Sequence, residues 1–201
     1  MRWSFSSAAI ASLILGVISL VSITLWTLSV SSRDDWEYSV LHTDLPEVSG
    51  LQSDGSSIYV TFETRNYDGK LVSIVDGKRS TIVSGLQKPD GLTTSLGSLV
   101  YTQEFGESPV FEVVNGVPRG LFIADGAEGV DSTLNGDLYV IEDRPGGRVL
   151  KYERSTGEIS ELASKLEAGE GICAMESGVV YFSERDKGIV YKIEGGEISE
   201  Y

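Results

Sequence analysis

The chain has 201 residues, with 30 Asp and Glu against 16 Lys and Arg and a formal net charge of −14. That balance argues against a nucleic-acid partner, which needs clustered Lys and Arg, and it is compatible with cation binding. The single cysteine, Cys173, excludes an internal disulfide, and 23 glycines against 5 prolines suit a chain of many tight turns.

Residues 1–7 are polar, with Arg2 their only charged side chain. Residues 8–30 then run without a charge and are rich in Leu, Ile and Val. As a helix this stretch would extend roughly 34 Å, enough to cross a hydrocarbon core of about 30 Å. The expectation is one transmembrane signal-anchor helix with residues 1–7 in the cytoplasm. The rest would lie outside it, in a periplasmic, extracellular or lumenal space. A cleaved signal peptide is the competing assignment and exports the same domain. Residues 31–44 read as a linker with a lone strand at residues 36–42, which includes the only histidine, His42.

From residue 45 to residue 201 one unit recurs four times. It opens with a small or acidic residue, a glycine and an aliphatic: Ser49-Gly50, Asp90-Gly91, Glu128-Gly129 and Glu170-Gly171. A turn follows, at Asp54-Gly55, Leu96-Gly97, Asn135-Gly136 or Ser177-Gly178. A tyrosine-bearing strand then ends on Glu63, Glu104, Glu142 or Glu184. A second tight turn falls at Asp76-Gly77, Asn115-Gly116, Thr156-Gly157 or Gly195-Gly196. Asp-Gly and Asn-Gly tolerate the positive φ that two-residue hairpins require. Short strands repeating about every 40 residues are the mark of propeller blades. The predicted fold is therefore all-β, a β-propeller with four recognisable four-stranded blades.

In such a ring, equivalent positions of successive blades face one axis. The entry residues Ser49, Asp90, Glu128 and Glu170 then converge, with the strand-end glutamates near them. Carboxylates so gathered repel one another unless solvated, protonated or neutralised by a cation. Hard oxygen donors without a Cys/His set suit Ca²⁺ or Mg²⁺ rather than zinc. The plainer role for a feature present once per blade is architectural, as acceptors for backbone N–H groups.

Pro89-Asp90-Gly91-Leu92, Glu128-Gly129 and Glu170-Gly171 resemble the entry motifs of the gluconolactonase–regucalcin family and of the related NHL and strictosidine-synthase-like propellers. Those rings are six-bladed, so the resemblance implies that the four repeats are part of a larger ring and that the chain is truncated. It implies a divalent cation, Ca²⁺ by preference, on Asp90 and on one or both of Glu128 and Glu170. It also implies hydrolysis of a small lactone or ester, with Asp90 and a strand-end glutamate, Glu104 or Glu142, as the catalytic groups. The family's Asn-Gly entry is absent here, and Pro-Asp-Gly precedes the Glu-Gly entries. The alternative expectation is a non-catalytic, membrane-tethered propeller that binds a protein or glycan.

Overall fold

Where two chain segments must reverse within two residues, the backbone needs positive φ, and the turn residues supply it. Asp76 and Gly77 lie at φ 49° and 71°, Asn115 and Gly116 at 51° and 77°, and Leu96 and Gly97 at 49° and 82°. The computed structural model describes residues 36–201, and within them His42–Tyr201 form a unit of their own.

That unit consists of four antiparallel sheets, each a meander in chain order. The first holds β1 (Val48–Ser53), β2 (Ile58–Phe62), β3 (Gly69–Val75) and β4 (Lys78–Leu86). The second holds β5 (Pro89–Ser95), β6 (Ser98–Gln103), β7 (Glu107–Val114) and β8 (Val117–Asp125). The third holds β9 (Ala127–Ser132), β10 (Leu138–Glu142), β11 (Gly147–Tyr152) and β12 (Ile159–Leu166). The fourth holds β13 (Gly169–Ala174), β14 (Val180–Glu184), β15 (Ile189–Glu194) and β16 (Glu197–Glu200). The four predicted repeats are thus four sheets.

The expected strand at residues 36–42 does not form: residues 36–45 have no regular secondary structure, and Trp36 and Tyr38 are exposed. Alternation alone cannot make a strand whose backbone has no ladder partner. The predicted helix at residues 8–30 lies outside the described residues. Among the described residues no helix is long and apolar enough to cross a membrane.

Successive sheets pack face to face. Val100, Val110 and Phe122 of the second meet Val130, Leu138, Val140 and Leu150 of the third, and all of them are buried. Equivalent clusters join the first sheet to the second and the third to the fourth. Inner strands β1, β5, β9 and β13 lie side by side in that order. Among the described residues no comparable packing joins β13 to β1, so the sheets form an open arc of blades.

The inner strands approach so closely that only glycine fits between them. A Cβ on Gly50 would overlap the carbonyl oxygen of Asp90, and one on Gly91 that of Glu128; one on Gly129 would lie 2.8 Å from the carbonyl oxygen of Glu170. Hydroxyls of the second strand stitch the same seam. Thr61 Oγ1 donates to Asp90 O at 2.7 Å, and Thr102 Oγ1 donates to Glu128 O at 2.6 Å. Each residue–glycine pair also sits where the ladder to the second strand shifts register, between Val48 and Leu51, Pro89 and Leu92, Ala127 and Val130, and Gly169 and Ile172. Bulges of this kind re-aim side chains, and here they free the entry carboxylates from the sheet.

Gly91→Ala should therefore destabilise the domain by about 1–3 kcal/mol, since the neighbouring backbone must move. At Gly171 the added methyl meets only Ser183 Oγ, at 3.3 Å, so Gly171→Ala should stay within about 0.5 kcal/mol. Urea unfolding of both variants checks this; equal losses would contradict the account of the seam.

Candidate functional site

Backbone hydrogen bonds at the mouth of the arc define which residues are equivalent. Glu63 N donates to Glu47 O at 2.8 Å, Glu104 N to Lys88 O at 2.9 Å, Asp143 N to Gly126 O at 2.8 Å and Arg185 N to Ala168 O at 2.9 Å. The strand-end series that faces the axis is thus Glu63, Glu104, Asp143 and Arg185. Glu142 and Glu184 stand one residue earlier, paired across the ladder with Ala127 and Gly169. The cause is one extra residue in the first hairpin of the third and fourth blades. Fourteen positions separate Asp90 from Glu104, but fifteen separate Glu128 from Asp143. A one-residue slip sends a side chain to the other face of its strand.

Glu142 accordingly turns between the sheets, where it is fully buried. Arg148 donates to both its carboxylate oxygens, at 2.9 and 2.6 Å, and Asp125 N donates at 2.9 Å. Burial works against its charge, but these bonds outweigh it and hold the Glu142 carboxyl below its ordinary range. Glu184 makes the corresponding pair with Lys187. Both are acids of the blade interior, apart from the axial group.

At the axis the acids fall into three niches, one at each seam between blades. Glu63, Asp90 and Glu104 form the first, and Glu104, Glu128 and Asp143 the middle one; in each, oxygens of all three lie within 4.8 Å of one another. Asp143 and Glu170 form the third, bridged by Arg185 at 3.2 and 2.7 Å. The structure therefore brings Asp90, Glu104 and Glu128 together. Glu170 is drawn aside by Arg185 and is 43% exposed.

Asp90 and Glu128 are buried. Burial raises the Asp90 carboxyl, against a hydrogen bond from Ser49 Oγ, and the charge of Glu63 raises it further. Glu128 is pushed up to about 8, first by burial and then by the charges of Asp90, Glu170 and Asp143. No N–H or hydroxyl of the described residues reaches its buried Oε2, and its carboxyl shares a hydrogen bond with that of Asp90. A buried oxygen without such a donor, set among carboxylates, fits a hard divalent cation, which supplies the missing partner and reverses the repulsion. Beside this group opens a cleft of about 340 Å³, lined by Arg65, Asn66, Gln87, Lys88, Glu104 and Phe105. A larger cavity of about 430 Å³, around Thr93, Thr94, Asp131 and Ser132, lies at the opposite ends of the inner strands and contains none of the axial acids.

Asp143 and Lys88 were the site residues least visible in the sequence. The longer turn between Ser132 and Leu138, against Leu96-Gly97 in the second blade, was the available signal for Asp143.

The arc is matched by solved structures. A gluconolactonase from Xanthomonas campestris superposes with a TM-score of 0.67 at 11% identity, over 80% of this chain and 63% of its own. A virginiamycin B lyase from Staphylococcus aureus gives 0.59 at 19%, over 79% and 56%. An auxiliary nutrient binding protein from Bacteroides thetaiotaomicron gives 0.65 at 19%, over 78% and 42%. The fold is a β-propeller, similar to that of the gluconolactonases. The chain spans less than two thirds of the length of each of these structures. No family model and no curated protein sequence matches it.

The raised Glu128 carboxyl has a consequence for stability. The unfolded chain loses this proton near 4.5, whereas the folded domain holds it to about 8. The stabilising contribution is complete below the lower value and falls as pH rises through the higher one. In EDTA the midpoint of thermal unfolding should fall between pH 5 and pH 8, and Glu128→Gln should flatten that fall. A midpoint that rises with pH across this window in the wild type would contradict the charge analysis.

Proposed function

We propose that the chain is a divalent-cation-dependent hydrolase of small lactones or esters, acting at the axial acids of its propeller. The observation that carries this reading is Glu128 Oε2, buried among Glu104, Asp143 and Asp90 with no N–H or hydroxyl donor to satisfy it. Glu104, Glu128 and Asp143 would hold the cation, with Asp90 against them. When bound, such an ion polarises a carbonyl and lowers the pKa of a coordinated water. The chain's own groups do the rest. Asp90, whose charge is disfavoured by burial and whose orientation is held by Ser49, accepts the proton of the water that attacks the carbonyl and returns it to the alkoxide released when the acyl C–O bond breaks. Lys88 keeps Glu104 in place at the rim of the cleft. Arg65, Asn66 and Phe105 line the cleft in which the substrate would lie. Glu142, occupied by Arg148, has no part in the step.

The fold likeness to a gluconolactonase supports the substrate class, and the acidic clusters support the metal. The alternative is a non-catalytic propeller that binds a protein or glycan, and it draws on the likeness to a nutrient binding protein. We infer a domain outside the cytoplasm in either case, a reading supported by the uncharged apolar run of residues 8–30. Digestion of the domain by protease added to intact cells tests that placement, and full protection would oppose it.

The activity is tested with a panel of five- and six-membered lactones and small esters, in EDTA and with Ca²⁺, Mg²⁺ or Mn²⁺. Hydrolysis should vanish in EDTA and return with at least one ion. Asp90→Asn should lower kcat by about 100-fold or more, and Glu142→Gln should leave kcat near the wild-type value. Ion binding without turnover of any substrate would favour the binding module.

A further inference from the structure

We propose that Lys88 and Arg185 are internal cations that occupy the outer two axial niches and confine a divalent ion to the middle one. This rests on the proposed cation site and adds to it the reason why one seam is selected from three similar ones.

The three niches share a plan but differ in one residue each. Lys88 is the backbone equivalent of Glu47, Gly126 and Ala168, the residues whose carbonyls accept from the strand-end N–H groups. It holds a left-handed backbone at φ 47°, where lysine is uncommon. From there its ammonium, 16% exposed, pairs with Glu63 at 3.2 Å and with Glu104. It therefore stands among the three carboxylates of the first niche, where an ion would otherwise have to stand. In the third niche the cation comes from the strand end, and Arg185 joins Asp143 to Glu170.

The middle niche has neither device. Its backbone equivalent of Lys88 is Gly126, at φ 62°, and its strand end is Asp143. Glu104 and Asp143 each lean on a flanking cation, while Glu128 between them keeps a buried oxygen that no N–H or hydroxyl of the described residues reaches. One uncompensated carboxylate flanked by two half-compensated ones is a seat for a single added cation. A Lys or Arg head held there by its own chain competes with a free ion at high effective concentration. The outer niches are closed for that reason rather than for lack of ligands.

Equilibrium dialysis of the full chain against Mn²⁺ tests this by counting ions. The wild type should bind one. Lys88→Met should bind two, and Lys88→Met combined with Glu63→Gln should return to one. The converse variant, Gly126→Lys, puts an ammonium at the equivalent left-handed position of the middle niche and should bind none. Its Cβ would lie 3.2 Å from Asp143 O, a contact that needs only a small adjustment. Thermal unfolding identifies which variants are folded, and either Lys88→Met or Gly126→Lys suffices. An unchanged count in a folded variant overturns the inference while leaving the cation site itself standing. A wild type that binds no Mn²⁺ overturns both, and one bound ion without hydrolysis of any lactone or ester removes only the proposed activity.

Discussion

The approach of neighbouring inner strands is the constraint on which the rest of this structure depends. At Gly50, Gly91 and Gly129 the next blade's backbone occupies the space a Cβ would need. That closeness lets Thr61 and Thr102 bond across the seam and lets each sheet bury its face against the next. It also has an electrostatic cost. The residue before each glycine is thrown toward its counterparts, and from the second blade onward that residue is an acid. The same geometry that assembles the blades thus concentrates negative charge at their axis.

The chain answers that repulsion differently at each seam. Lys88 neutralises the first, Arg185 the third, and at the middle seam Glu128 is left to hold its proton to about 8. A strained or uncompensated group within an otherwise satisfied fold is where function is most often found. Away from the axis the acids behave otherwise. Glu142 with Arg148, and Glu112 with Arg119 and Arg154, are buried carboxylates whose arginine partners tie strands and blades together. Breaking such pairs leaves a buried charge, so they serve the fold.

The fold was legible because its signals are local. Asp76-Gly77 and Asn115-Gly116 announce their turns through backbone chemistry that no tertiary context had to supply. Recurrence of the entry glycine, at Gly50, Gly91, Gly129 and Gly171, located every inner strand. The site was legible only in part, because facing the axis depends on register. Asp90, Glu104 and Glu128 share the axis as their spacing suggested. Glu142 does not, because one additional turn residue between Ser132 and Leu138 shifts its strand and presents Asp143 instead. Nor could a glutamate-based reading anticipate Lys88, whose place among the acids follows from a left-handed backbone at a loop position. Residues 36–42 show the converse error: an alternating pattern was present, but among the described residues it joins no ladder.

The central claim is that the middle seam, and not the entry ring as a whole, is the cation site. Anomalous diffraction from crystals grown with Mn²⁺ tests it most directly. The account predicts one anomalous peak within coordination distance of Glu104, Glu128 and Asp143. A peak between Glu63 and Glu104 with Lys88 displaced, or one between Glu170 and Asp143, would contradict it.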